Sequence, residues 1–223
     1  MHTTGTRGRI LILSLWSARI GALLSRDKLQ MPGVGEQRLL TSSFMSQVEV
    51  AVRRATCNLI CYKICGMIEK IISGGQTGAD RAALDFALAL GIPHGGWCPR
   101  GRLAEDGVIA AQYLLAETPG PDFAQRTEWN VRDSDGTVIF SIAPKLSGGS
   151  KRTAEFAIQY RKPWVHLSRQ EHGQSAAQKL SDFLIEHQIK ILNVAGPRQS
   201  EEPEVAGFVI GTLQRLQTRL QRN

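Results

Sequence analysis

From residue 67 onward the chain alternates short, continuously apolar runs with amphipathic stretches of about 10–15 residues, and this alternation narrows the choice of fold more than any other feature. Residues 69–73, 92–97, 137–141, 163–167 and 189–195 read as strands, and 79–90, 122–131, 150–160, 175–187 and 203–220 as helices. Gly91 and Pro93 stop the first helix, and Asp122 with Gln125 makes a D-x-x-Q capping box at the start of the second. The stretch 99–121 has no long period, with 113–117 as an edge strand. Strands without polar alternation are buried on both faces, which is the condition of a parallel sheet covered by helices. The pattern predicts an α/β fold: a Rossmann-like three-layer sandwich with a mostly parallel central sheet. Right-handed crossovers then bring every loop that leaves the carboxyl end of a strand to one edge, where ligands bind.

The charge is not spread over that domain. Residues 1–66 hold nine Lys/Arg against three Asp/Glu, leaving 18 against 17 in 67–223. A body so nearly balanced argues against nucleic-acid binding, which needs several net positive charges on the folded domain itself. Residues 1–66 read as a poorly structured basic extension, with Arg7, Arg9, Arg19 and Arg26 around the apolar run 10–16. That run is interrupted too early for a secretory signal and is too short to span a membrane. The extension is expected to be a disordered leader or a wrongly assigned start, with Met67 as the natural first residue. Cys57, Cys61 and Cys65 stand four apart, unlike the C-x-x-C spacing of zinc or iron–sulfur sites, and are read as coincidence. Cys98 is the only cysteine of the body, so no internal disulfide can form there and a reducing, cytoplasmic location is expected. His94, His166, His172 and His187 lack metal-ligand spacing, and no structural metal is expected.

Three strand-to-helix loops carry candidate ligand groups. The first is Ser73, Gly74, Gly75, Gln76, Thr77, Gly78, Ala79, Asp80, Arg81; its glycines let a ligand approach the backbone, and the free amides at the helix start attract an anion. It matches neither G-x-G-x-x-G nor G-x-x-x-x-G-K-[ST]. The alternative is that Thr77 and Asp80 form a T-x-x-D capping box and the glycines serve a tight turn. The second is Gly148, Gly149, Ser150, Lys151, Arg152, Thr153 with Glu155, and the third is Gly196 to Arg198, with Ser200 as a cap for the last helix. Arg81, Arg100, Arg152 and Arg198 are expected to form a local positive field at this edge.

Residues 68–81, together with Gly95-Gly96-Trp97-Cys98-Pro99, Gly148-Gly149-Ser150-Lys151-Arg152-Thr153 and Asn193-Val194-Ala195-Gly196-Pro197, resemble the putative molybdenum carrier family. The resemblance spans essentially all of 67–223 and none of 1–66. It implies a Rossmann-like relative of the Lonely Guy phosphoribohydrolases and of molybdenum-cofactor carriers. The phosphate motif of those proteins reads P-G-G-x-G-T-x-x-E. Gly148, Gly149 and Glu155 keep its spacing, whereas Ser147, Lys151 and Thr153 depart from it and weigh against hydrolysis.

Two functions follow as expectations. The first is a carrier or sensor holding a phosphorylated or oxyanionic small molecule, such as molybdenum cofactor or a nucleotide-derived ligand, on the amides of 74–78 and 148–151 with arginines assisting. The alternative is a hydrolase of nucleotide N-glycosidic bonds with Glu155 or Asp80 as acid/base. A homo-oligomer, dimer or tetramer, is expected on general grounds.

Overall fold

In the computed structural model, residues 67–222 are described. The basic extension, the expected start at Met67 and the cysteines at 57, 61 and 65 belong to questions that lie outside the described residues.

The first apolar run forms β1 (Lys70–Ile72), followed by α1 (Ala79–Leu90), which ends on Gly91 in the left-handed conformation as expected. The irregular stretch carries a small hairpin, β4 (Leu103–Ala104) and β5 (Gly107–Val108), and the short strand β6 (Ala116–Glu117). Helix α2 (Phe123–Arg132) opens on Asp122, whose carboxylate accepts a hydrogen bond from Ala124 N at 2.8 Å. Then come β7 (Gly136–Ser141), α3 (Gly148–Gln159) and β8 (Trp164–Ser168). A short α4 (Arg169–His172) leads into α5 (Ala176–Glu186), β9 (Ile191–Ala195) and α6 (Val205–Arg222).

The expected strand over 92–97 is two strands in two sheets. Its first half, β2 (His94–Gly95), pairs with β1, and its second, β3 (Trp97–Cys98), pairs with β6. Gly96 turns the chain between them at φ 124°, and a Cβ there would press into the Ser73 backbone and lie 2.8 Å from Asn130 Oδ1. A conformation reserved for glycine, wedged against a neighbouring loop, is what breaks the strand.

The central sheet has five strands in the order β2-β1-β9-β7-β8, each neighbouring pair parallel. The last strand of the chain therefore sits in the middle. If β9 and α6 are counted first, the order reads 3-2-1-4-5, the arrangement of a doubly wound nucleotide-binding sheet. The change of direction falls between β9 and β7, so the crevice at their carboxyl ends is the place a ligand would enter.

Alternation along the strands supplies two apolar faces. Val138 and Phe140 of β7 join the main core with Ile71, Leu167, Leu192 and Val194, covered by Ala83 and Phe86 of α1, Leu180 and Leu184 of α5, and Val209 and Leu213 of α6. Helix α3 packs against β7 and against α2, where Val131, Phe156 and Ala157 form a smaller cluster. The layers are thus helices, sheet and helices, as the apolar runs require.

Candidate functional site

Each of the three strand-to-helix loops reaches the crevice beside β9. Gly74, Gln76 and Asp80 come from the first, Gly149, Ser150 and Thr153 from the start of α3, and Gly196 and Arg198 from the third. Arg126, Thr127 and Asn130 of α2 close the remaining side, with Asn193 and Glu201. They enclose about 60 Å³. That volume suits a few waters or one small polyatomic anion, well below the several hundred Å³ of a whole-ligand pocket.

The dominant electrostatic element is an ion pair between Arg126 Nη1 and Asp80 Oδ2 at 2.7 Å, with side-chain exposures of 15% and 4%. Gly74 makes it possible, because a Cβ there would fall on the Arg126 guanidinium and lie 2.8 Å from Asp80 Oδ2. Asp80 also accepts from Gln76 N at 3.3 Å. Opposite them α3 begins without a side-chain cap. Its first amide to bond back is Lys151 N, to Ser147 O at 3.1 Å, so the amides of 148–150 have no intrahelical partner. Around Gly148 and Gly149 an added Cβ would meet nothing within 4 Å. The helix starts two residues earlier than the periodicity suggested, which turns these glycines from a loop into a first helical turn.

Other expected ligand residues serve the scaffold. Ser73 is buried and donates to Val194 O at 2.7 Å, stitching β1 to β9. Gly75 and Gly78 adopt φ 75° and 77°, the second packed on the backbone of 197–199. The T-x-x-D capping box does not form: Gly78 is the N-cap residue, without a side-chain bond, and the Thr77 hydroxyl goes to Glu105. The positive cluster is also not as expected. Arg81 pairs with Asp106 of the hairpin, Arg100 is exposed, and Arg152 is exposed beside Glu155 at 3.9 Å and over Phe156. Of the four arginines named for that field, Arg198 lines the cleft, itself 3.6 Å from Glu201.

Glu155 is turned away for a simple reason. On α3 the buried positions are 150, 153, 154, 156 and 157, and the helical period leaves 151, 152 and 155 on the outer face. The proposed acid/base at 155 is thus 51% exposed and does not line the cleft, and Lys151 shares that face.

Sequence reasoning reads Arg126 as a solvated charge at the end of the second helix; its local signal is that it lies one helical turn before the buried Asn130. Glu105, in the irregular stretch, is likewise read as a solvated charge. The Glu105 carboxylate accepts from the Thr77 hydroxyl, the Ser200 hydroxyl and Ser200 N, the last at 3.2 Å, and these bonds, that from the Ser200 hydroxyl first, hold its pKa below the usual carboxylate value. Ser200 therefore does not cap α6, which starts only at Val205.

At the edge of the same loops Ser141 Oγ donates to Ala143 O and lies 2.7 Å from His166 Nε2, an arrangement that assigns the ring proton to Nε2. Burial lowers the His166 pKa from 6.5, against the opposing pull of Glu171. The unfolded chain then takes up a proton before the native one does. Stability is accordingly full above pH 6.5 and declines as pH falls from there toward the depressed native value. Urea midpoints between pH 8 and 5 should show this decline, and His166→Gln should flatten it; equal slopes in the two proteins would refute the assignment. Among the described residues no three His, Cys, Asp or Glu side chains are grouped to hold a metal ion, and no helix is long and apolar enough to cross a membrane.

A sheet whose order becomes doubly wound only when its last strand is counted first has the topology of a permuted chain. The profile of the circularly permutated YpsA SLOG family matches residues 71–217. The chain belongs to that family. The solved structure of a putative molybdenum carrier protein from Syntrophus aciditrophicus SB is 49% identical, superposes with a TM-score of 0.66, and covers 67% of this chain and 94% of its own. An (E)-4-hydroxy-3-methyl-but-2-enyl diphosphate reductase aligns at 11% identity over 73% of this chain and 64% of its own, but its TM-score of 0.31 carries no argument. Among curated proteins no sequence matches. Membership accounts for the permuted strand order of this YpsA SLOG chain.

Proposed function

We propose that this YpsA SLOG protein binds and carries a small oxyanion or the phosphate end of a larger molecule in the crevice beside β9. The observation that carries the reading is the Arg126–Asp80 pair facing the uncapped start of α3 across a space of about 60 Å³. Helix-start amides and a guanidinium are the groups that hold anions, and Asp80 and Glu201 are each matched by an arginine. The name of the Syntrophus relative adds molybdenum as cargo, either as an oxyanion or within a phosphorylated cofactor whose remainder would extend out of the crevice.

Carriage is favoured over N-glycosidic hydrolysis because neither candidate acid/base is placed for proton transfer. Glu155 lies on the outer face of α3, and Asp80 Oδ2 is engaged by Arg126 and Gln76 N. Native mass spectrometry with elemental analysis for molybdenum, together with calorimetric titration against molybdate, phosphate and adenosine monophosphate, tests this. Saturable binding without release of adenine is the expected result. Free adenine that disappears in Glu155→Gln would establish the hydrolase instead.

Gly149→Ala separates the cleft from the fold. The new methyl meets nothing within 4 Å, so stability should stay within about 1 kcal/mol of wild type or rise slightly. Gly149 lines the cleft, so the methyl takes up space there and anion affinity should drop. Thermal melts and titrations read the two effects, and an unchanged affinity would remove α3 from the site.

A further inference from the structure

Among the described residues, four buried side-chain atoms lack a hydrogen-bond partner, and three are donors from one region: Gln76 Nε2, Arg81 Nε and Arg126 Nε. Gln76 and Arg126 both line the cleft, and Gln76 is only 5% exposed. The orientation of the Gln76 amide is determined by its neighbours. Its Oε1 accepts from Thr77 N at 3.1 Å and from Glu105 N at 2.9 Å, and because backbone amides can only donate, the oxygen must face them. The NH₂ group is thereby left over, and Arg126, which lines the same cleft, also has a donor unused. Native interiors seldom leave buried donors unmatched, so the cleft is short of acceptors.

We infer that Gln76 is the specificity-determining donor of this cleft, its Nε2 donating to an unprotonated oxygen of a tetrahedral oxyanion that Arg126 also holds. The inference rests on the anion-binding reading above and narrows it to a chemical class. A group whose oxygens are all acceptors satisfies both donors, whereas a cation or a ligand that must donate there leaves them unmatched and meets repulsion. The enclosed volume of about 60 Å³ fits such a group alone, whether it is a free oxyanion or the terminal phosphate of a nucleotide.

The test is calorimetric titration of sodium molybdate, sodium phosphate and adenosine monophosphate into wild type and Gln76→Glu. The variant keeps an oxygen for Thr77 N and Glu105 N and replaces the donor with a second oxygen. Affinity should fall roughly 10- to 100-fold, the range expected when a hydrogen bond to a charged group is lost. In ¹H–¹⁵N spectra of wild type, the Gln76 side-chain NH₂ pair should shift on saturation, a readout that stands if the variant fails to fold. Binding of the free anions assigns a free oxyanion; binding of the nucleotide alone assigns a ligand phosphate; either supports the role of Gln76. Wild-type binding with an unmoved NH₂ pair, or with a folded variant of equal affinity, overturns the inference and leaves the carrier reading standing. Failure of wild type to bind any of the three overturns both.

Discussion

Arg126→Met is expected to destabilise the folded chain by about 3–5 kcal/mol, because it strands the Asp80 carboxylate, 4% exposed, without its counter-charge. The other bond recorded to that oxygen is from Gln76 N at 3.3 Å, too little to offset the desolvation of a buried charge. Methionine fills much of the arginine stem's volume, so packing contributes little to the loss. The double variant Asp80→Asn/Arg126→Met should recover most of the stability, since the uncompensated charge is then gone. Urea denaturation of wild type, both single variants and the double variant gives the cycle. A single variant within 1 kcal/mol of wild type would mean that the pair does not hold the cleft together. Anion binding should be lost even where stability is recovered, because the guanidinium is absent from both.

Gly78→Ala is the second large effect, at about 2–6 kcal/mol, the sum of backbone strain and overpacking. Gly78 sits at φ 77° and ψ −124°, outside the range of a residue with a side chain, and the new Cβ would lie 2.6 Å from Pro197 O, 2.8 Å from Gln199 N and 2.9 Å from Arg198 C. All three are backbone atoms, so no side chain can swing aside. Gly91→Ala is the internal control: φ is 66° there too, but nothing lies within 4 Å, and a loss of only about 1–2 kcal/mol is expected. Melting both variants compares an unobstructed left-handed glycine with one that is both strained at ψ −124° and packed against backbone. Equal losses would show that the contact between 78 and 197–199 yields easily.

These two positions mark where sequence reading reached its limit. The D-x-x-Q start at Asp122, the Gly91 stop, the bounds of α1 and the parallel sheet were legible, since each depends on residues within a few positions of one another or on the apolar character of a whole strand. The three glycines of the first loop were visible as well, but their purpose was not. Gly74 makes room for Arg126, Gly75 adopts φ 75° beside Leu115, and Gly78 makes room for the third loop. Likewise Thr77 and Ser200 look like helix caps in isolation. Glu105, 28 residues from one and 95 from the other, takes both hydroxyls.

The pattern of apolar runs alone determined that this chain builds a helix-covered parallel sheet with glycine-rich turns at one edge, because periodicity and capping act over a single turn of helix or a few residues of strand. Which side chains meet in the crevice was decided by tertiary structure. Inserting β9 between β1 and β7 brings Asn193 and Gly196 beside Gly74 and Gly149, and places Arg126 of α2 opposite Asp80 of α1. The helical period states which residues share a face, and only the order of strands states what that face meets.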